Sequence, residues 1–231
     1  LKGVILAGGT GTRLHELTGG GNKHLLEVHD RPMVHYPIET LIGSGITEIL
    51  VIVSADDEHA FQAMFDEGSW DADLSLDVQD RPLGIAHALG HAENFAAGEG
   101  VAVILGDNIF ERPLNIGGFE NGARVFLKDV ADPERFGIAI MREGKIESID
   151  EKPDAPTSRY AVTGAYLYDE RVFDIIRNLE FSHRGELEIT DVNNEYIRLG
   201  AMEWEMILGF WVDAGTMETY MAAVEHIRGR R

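Results

Sequence analysis

Between Leu6 and Leu14 the chain reads Ala-Gly-Gly-Thr-Gly-Thr-Arg, a run of small residues that ends in a guanidinium. Such a run suits phosphate, because backbone N–H groups approach anionic oxygens closely where no Cβ intervenes. Arg13 adds a planar cationic fork and Lys23 a point charge nearby. Taken alone the run is a weak signal, with a tight turn as the bland alternative. The dinucleotide fingerprint lacks its third glycine, and Gly21-Asn22-Lys23-His24 breaks the lysine–serine/threonine ending of a P-loop. Two carboxylates, Asp107 in Gly-Asp-Asn and Asp213 in Trp-Val-Asp, each end an apolar run. At strand ends they are placed to share a hard divalent ion, although an isolated Asp-Asn pair more simply caps a turn. His87 and His91 have the four-residue spacing of metal ligands on a helix, but no third ligand is evident and a structural role is expected. Ser182 and His183 adjoin Glu186 without a nucleophile-elbow sequence, which argues against a hydrolase triad.

The elements that must position these groups follow from periodicity. Residues 4–6, 49–53, 74–78 and 101–105 are short uncharged or alternating runs read as strands, the second and last of them buried on both faces. Helices are expected over 32–44, with Pro32 near the start, over 58–65 and over 85–95. Strands alternating with helices predict an α/β fold with a mostly parallel, Rossmann-like sheet flanked by helices. The second half differs. Strands at 123–130, 137–141 and 145–149 are separated only by turns, followed by a strand at 163–168 and helices near 170–178 and 188–199. A strand over 204–212 and a helix over 217–227 close the chain, and the whole second half reads as a smaller mixed lobe. Residues 1–231 are expected to form a single domain, with no internal repeat or linker.

The chain has 231 residues, no cysteine, and 40 acidic against 20 basic residues, a formal net charge of −20. The lack of cysteine excludes thiolate zinc sites, disulfides and thiol nucleophiles. A surface so negative repels nucleic acid and anionic membranes, so neither is expected as a partner. No apolar run approaches the roughly 20 residues that span a bilayer, and the first residues lack the pattern of a signal peptide, so a cytoplasmic protein is expected. Only five of the basic residues are lysines, which fits a high-salt cytoplasm or a GC-rich genome equally well.

The run from Leu6 to Leu14, then Lys23, Arg31-Pro-Met33 and Tyr36-Pro37, resembles the signature of sugar-nucleotide pyrophosphorylases. The likeness continues through Gln79, Pro82-Leu-Gly84, Leu105-Gly-Asp-Asn-Ile-Phe110, Asp132-Pro-Glu-Arg-Phe-Gly137 and Glu151-Lys-Pro153. It also covers Tyr160-Ala-Val-Thr-Gly164, Arg184-Gly-Glu-Leu-Glu-Ile-Thr-Asp191 and Trp211-Val-Asp213. Separate blocks in order across nearly the whole chain make a specific match, closest to the glucose-1-phosphate thymidylyltransferases. The resemblance implies the nucleotide-diphospho-sugar transferase fold, residues 1–122 serving the nucleotide and residues 123–231 the sugar.

It also implies an activity: a sugar-phosphate oxygen attacks the α-phosphorus of dTTP in line and pyrophosphate leaves, with Mg2+ as cofactor. By this likeness Arg13, Lys23, Asp107, Lys152 and Asp213 are catalytic, and Asp107 and Asp213 bind the metal. Leu6, Gly8, Gly9, Gly11, Thr12, Arg13, Lys23, Gln79, Pro82 and Gly84 hold the nucleotide, Gln79 matching the imide edge of thymine or uracil. Asn108, Gly137, Glu151, Lys152, Val162, Glu186 and Trp211 hold the sugar phosphate, although Trp211 equally suits a core position. Glu16, Glu27, Phe136 and Ala214 depart from the family pattern, and Phe136 removes a tyrosine hydroxyl beside the expected sugar site. UTP or another hexose-1-phosphate are alternative substrates. A silent nucleotide sensor is disfavoured by intact Arg13, Asp107, Lys152 and Asp213, and a dehydrogenase by the missing third glycine. Longer relatives continue into helices that shape a second nucleotide site; with helix 217–227 running into Gly229-Arg230-Arg231, a short form inhibited only at its active site is expected, with a homo-oligomer left open.

Overall fold

Uncharged β-branched runs pair where both faces can be covered, and they set the centre of this fold. The computed structural model describes residues 1–9 and 11–230, with Thr12 described by its backbone only; Thr10 and Arg231 lie outside the described residues. In chain order the first elements are β1 (Lys2–Leu6), α1 (His15–Thr18), a small hairpin of β2 (Glu27–Val28) and β3 (Arg31–Pro32), and α2 (His35–Gly43). Then come β4 (Glu48–Ser54), α3 (Glu58–Glu67), β5 (Asp73–Gln79), α4 (Ile85–Gly90), α5 (Glu93–Ala96), β6 (Val101–Leu105) and β7 (Asn108–Phe110). The second half holds β8 (Ala123–Asp129), β9 (Gly137–Arg142), β10 (Lys145–Glu151), β11 (Tyr160–Tyr168), α6 (Arg171–Arg177) and α7 (Ile189–Arg198). Strands β12 (Met202–Met206) and β13 (Trp211–Asp213) and helix α8 (Met217–Arg228) complete it.

Strands β6, β1, β4 and β5 lie side by side in parallel, Val4 opposite Leu50 on one flank and Val103 on the other. Alternate residues face opposite layers. Val4, Leu6, Leu50, Ile52, Val101 and Val103 pack with Leu89 of α4, Phe173 of α6 and Tyr196 of α7. Ile5, Ile49, Val51, Val53 and Ile104 pack with Ile38 and Leu41 of α2 and with Phe61 and Phe65 of α3. The mixed second half is joined to this sheet by β11, which runs antiparallel to β6. Strand β11 is bulged between Val162 and Tyr166, and it pairs with β8 and, at Ala161, with β9. The mixed half therefore extends the same nine-stranded sheet.

The strand expected over 163–168 starts earlier, at Tyr160, and three other expected elements begin late, break or divide. The helix expected from Pro32 begins at His35, because Pro32 sits in the hairpin opposite Glu27. The helix expected over 85–95 breaks at His91 and Ala92, whose N–H groups bond back three residues to Ala88 and Leu89 and close a tightened last turn. The strand expected over 204–212 is two strands: β12 pairs with β8 and β13 with β7, with Gly209 at a φ of 83° between them.

One buried carboxylate ties the halves of the helical layer together. Asp169, directly after β11, accepts hydrogen bonds from Gly122 N–H at 2.6 Å, Tyr196 O–H at 2.7 Å and the Arg171 guanidinium at 2.6 Å. These bonds hold its pKa below the ordinary value although burial alone would raise it. Removing a single donor leaves the carboxylate with the others, so Tyr196→Phe is expected to cost about 1–2 kcal/mol. Urea unfolding measures it; a loss of no more than a few tenths would show the Tyr196 bond to be immaterial.

Candidate active site

The glycine loop leaves the carboxyl end of β1, a central strand, where α/β sheets gather ligands. Its walls are fixed by the neighbouring strands: Ala7 N–H bonds Ile52 C=O at 2.7 Å and Gly106 N–H bonds Leu6 C=O at 2.9 Å. Asn22, buried, closes the loop from below. Its amide donates to Ala7 C=O at 2.9 Å and to Asp57 at 2.8 Å, and its oxygen accepts from His24 N–H at 2.8 Å. The His24 ring, also buried, lies 2.7 Å from the same oxygen through Nδ1. Burial, and then the positive charge of Lys23, push the His24 pKa down to about 3, so the ring is neutral at pH 7.

Lys23 reaches from this loop to an ion pair with Asp107 beyond the end of β6, both side chains largely buried. Burial would raise the Asp107 pKa, but Lys23, the nearby His24 and the hydrogen bonds reverse this, and the carboxyl lies well below its usual range. Its other oxygen accepts from the Asn108 amide at 2.9 Å. The Asn108 oxygen in turn accepts from Trp211 Nε1–H at 2.8 Å and Gly164 N–H at 3.1 Å. A Cβ on Gly164 would stand 2.6 Å from the Asn108 amide, so only glycine admits this approach. Pairing of β13 with β7 sets Asp213 opposite Asn108. A Cβ on Gly215 would lie 2.7 Å from Asp213 Oδ1 and 3.4 Å from Asp107 Oδ2, so the two carboxylates flank one point. Burial, and then the charge of Asp107, push the Asp213 pKa up to about 6. Two oxygen donors, one of them starved of positive charge, fit a hard divalent cation.

Two adjoining cavities open here. One, of about 440 Å³, is lined by Leu6, Gly8, Gly9, Gly11, Arg13, Lys23, Gln79, Pro82 and Gly84, together with Asp107 and Gly215. The expected nucleotide residues thus come together, save Thr12, whose side chain lies outside the described part. The second, of about 160 Å³, is lined by Asn108, Gly137, Glu151, Lys152, Val162, Glu186, Trp211 and Asp213. Trp211 both lines this cavity and packs in the core, against Phe136 at 5.4 Å. Lys152, Arg184 and Glu186 line both cavities. Lys152 adopts left-handed backbone at a φ of 43°, held by its N–H to Phe136 C=O at 3.0 Å. That conformation is strained for a side-chain-bearing residue and is retained at the seam between the cavities.

Gly84 has a φ of 103°, and a Cβ there would stand 2.5 Å from Leu187 C=O, so the wall after β5 depends on glycine. Residues missed in the sequence are Asn22, His24 and Arg184. Arg184 pairs with Glu188 at 2.8 Å, Glu151 at 3.5 Å and Glu186 at 3.8 Å. Its signal was its place at the head of the block carrying Glu186.

A glycine loop beneath a buried lysine–aspartate pair, a second carboxylate at the same point, and cations at the seam of two cavities can hold a polyphosphate beside a second anion. A family model described as nucleotidyl transferase matches residues 2–230. The chain belongs to the nucleotidyl transferase family. Among relatives, a glucose-1-phosphate thymidylyltransferase of Actinoplanes sp. is 44% identical over 99% of this chain and 78% of its own length. That of Mycolicibacterium smegmatis is 42% identical over 99% and 82%. A Bacillus anthracis protein assigned as a glucose-1-phosphate thymidylyltransferase, solved in complex with sucrose, superposes with a TM-score of 0.91 at 42% identity, covering 100% of this chain and 96% of that one. A UDP-glucose pyrophosphorylase with UDP-glucose shares the fold at a TM-score of 0.87 and 22% identity, covering 100% and 99%. Among the described residues no helix is long and apolar enough to cross a membrane.

The neutral His24 makes a pH-dependent contribution in this nucleotidyl transferase. Its folded pKa is lowered from 6.5 to about 3, so between these values the unfolded chain holds a proton that the folded chain lacks. Stability attributable to His24 therefore falls as pH falls from about 6.5 towards 3. His24→Asn is expected to make the acid limb of stability shallower, by up to about 1.4 kcal/mol per pH unit. Urea midpoints between pH 7 and 4.5 test this, and parallel limbs for both proteins would mean that the buried ring takes up its proton in the folded state.

Proposed function

We propose that this chain condenses dTTP with glucose-1-phosphate to give dTDP-glucose and pyrophosphate. The observation that carries the reading is the seam: a cavity with a glycine floor and a cavity of sugar-sized polar lining meet at Lys152 and Arg184, beside Asp107 and Asp213. Relatives more than 40% identical along nearly the whole chain carry that activity in their names.

The triphosphate lies over Gly8, Gly9 and Gly11, with Arg13 and Lys23 on its oxygens. Arg13 has no ion pair among the described residues and lines the cavity, so its charge is available to an incoming anion. Gln79, buried at the end of β5, meets the pyrimidine imide, with Pro82 and Gly84 as the wall. The hexose occupies the second cavity, its hydroxyls facing Glu186, Glu151 and Asn108, and Lys152 holds its phosphate. Phe136 offers no hydroxyl there, so selectivity rests on the remaining polar groups. A phosphate oxygen of the sugar forms a bond to the α-phosphorus as the bond from that phosphorus to the bridging oxygen of pyrophosphate breaks. No covalent nucleophile is required; positioning and charge neutralisation lower the barrier. Asp107 and Asp213 would hold Mg2+, which supplies positive charge to the phosphate oxygens. Lys23, freed from Asp107 when phosphate arrives, takes up charge on the departing pyrophosphate. Residues 1–122 mainly serve the nucleotide and residues 123–231 the sugar, with Asn108 crossing to the sugar side.

Turnover assays with dTTP, UTP and ATP against several hexose-1-phosphates test this. Gln79 suits either pyrimidine, so UTP is expected to be used less well, by the roughly 1–3 kcal/mol of a single small contact. Comparable kcat/KM with ATP would overturn the pyrimidine reading. Asp213→Asn separates function from folding. It removes a buried carboxylate set against Asp107, so the midpoint of urea unfolding at pH 8 is expected to hold or rise. Turnover is expected to fall at least about a hundredfold; near-normal kcat at saturating Mg2+ would remove Asp213 from the site.

A further inference from the structure

Helix α4 carries His87 as its third residue, and His91 follows as its cap, one turn further on. Their rings stand edge to face with centroids 5.2 Å apart. The fold adds what the helical spacing lacked. Asp80, directly after β5, brings its carboxylate to the same place, and one ligand atom from each of Asp80, His87 and His91 lies within 4.8 Å of the others. Asp80 is exposed and its pair with Arg81 is loose, at 3.7 Å with both side chains about 70% exposed, so its carboxylate is free to turn inward. Within the described residues the His91 ring makes no hydrogen bond. The His87 ring makes one: its Nδ1 lies 3.0 Å from the Gln79 side-chain nitrogen.

We propose that Asp80, His87 and His91 form a site for a divalent transition metal, and that its occupancy sets which face of the Gln79 amide meets the nucleotide cavity. Two imidazoles and one carboxylate favour Zn2+, Ni2+ or Co2+ over Mg2+, which prefers oxygen ligands. A tetrahedral ion with bonds of about 2.0–2.1 Å keeps its ligand atoms about 3.4 Å apart, so binding draws these three groups inward by side-chain rotation and leaves a fourth position to water.

The coupling follows from the donor rules of the imidazole. The Gln79 nitrogen can only donate, so His87 Nδ1 accepts and the ring proton sits on Nε2. A metal on Nδ1 takes the lone pair that Gln79 uses. A metal on Nε2 moves the proton to Nδ1, which then donates and needs the amide oxygen in place of the nitrogen. Because Nδ1 is already engaged by Gln79, Nε2 is the nitrogen left to the metal, and that route ends the present bond and turns the amide over. In the present arrangement the Gln79 oxygen faces the glycine loop, 3.0 Å from where a Cβ on Gly8 would stand. There it can accept from the N–H of a pyrimidine imide. Turned over, the amide meets that N–H donor to donor, so metal weakens dTTP. This second step rests on Gln79 reading the base, as proposed above; the metal site does not.

Zn2+ is titrated by calorimetry into the full chain with excess Mg2+ present, and dTTP is titrated with and without Zn2+. The expected result is one Zn2+ per chain, weakened at least about tenfold in both His91→Ala and Asp80→Asn, whose unfolding midpoints check that they fold. Zn2+ is expected to lower dTTP affinity about fivefold or more in the unsubstituted protein and to leave it unchanged in His91→Ala. Equal Zn2+ binding by the protein and both variants, or none at all, overturns the site. Zn2+ binding that depends on His91 but leaves dTTP affinity unmoved overturns the coupling. Failure of the dTTP reading itself shows separately, as absent dTTP binding before any Zn2+ is added.

Discussion

The buried ion pair between Lys23 and Asp107 is the constraint on which the site depends. It joins the loop after β1 to the turn after β6, two strands that already lie side by side. Taking both charges out of water is costly, and the cost is offset in part because Asp107 has a further partner. Asp107 accepts from Asn108, and Asn108 is itself held by Trp211 and Gly164. The line from Trp211 to Lys23 therefore fixes a core indole, a turn amide, a carboxylate and an ammonium in one chain of bonds. In the free protein these two opposite charges neutralise each other. On the proposed reading, phosphate would compete for the ammonium and a cation for the carboxylate, so the groups are held in place without being left bare.

This local order stands against the sign of the whole molecule. A net charge of −20 repels an approaching triphosphate at long range. At physiological salt that field is screened within about 8 Å, and what remains is the local field of Arg13, Lys23, Lys152 and Arg184. Three of those cations are partly balanced by carboxylates: Lys23 by Asp107, Lys152 by Glu151, and Arg184 by Glu151, Glu186 and Glu188. Arg13 alone of the four has no such partner among the described residues. Among the described residues the cavity thus carries one unpaired cation and three that are already partnered.

The sheet was legible because its central strands are uncharged β-branched runs, and a strand buried on both faces leaves that trace whatever surrounds it. The glycine loop and the two aspartates were legible as types, and their roles became specific only through the order of the blocks. Asn22 and His24 were not legible. A polar side chain that closes a loop does so through bonds to Ala7 and Asp57, which are remote in sequence. Asp80 was hidden for the same reason: the helix shows its own i, i+4 pair, while the third group arrives from the end of a strand. The helix over 85–95 was read through a break because Ala92 and Ala96 keep the apolar rhythm while the backbone turns.

The two cavities are not independent walls. Leu187 N–H bonds Leu83 C=O at 2.8 Å and its C=O accepts from Ala86 N–H at 3.1 Å, so the segment carrying Glu186 and Glu188 is stitched to the segment carrying Pro82 and Gly84. The absence of a side chain at Gly84 is what allows this contact, since a Cβ would strike the Leu187 backbone. Arg184 extends the same stitch to Glu151, and Lys152 follows Glu151 in a strained turn. The wall at Gly84 is therefore continuous with the strip that bears Glu186 and Glu188, and through Arg184 with the cations at the seam. Because packed backbone passes displacement on and does not absorb it, the two cavities share one wall and are not built independently. The connection runs through hydrogen bonds of the main chain, so it survives changes in the side chains that choose between one hexose and another.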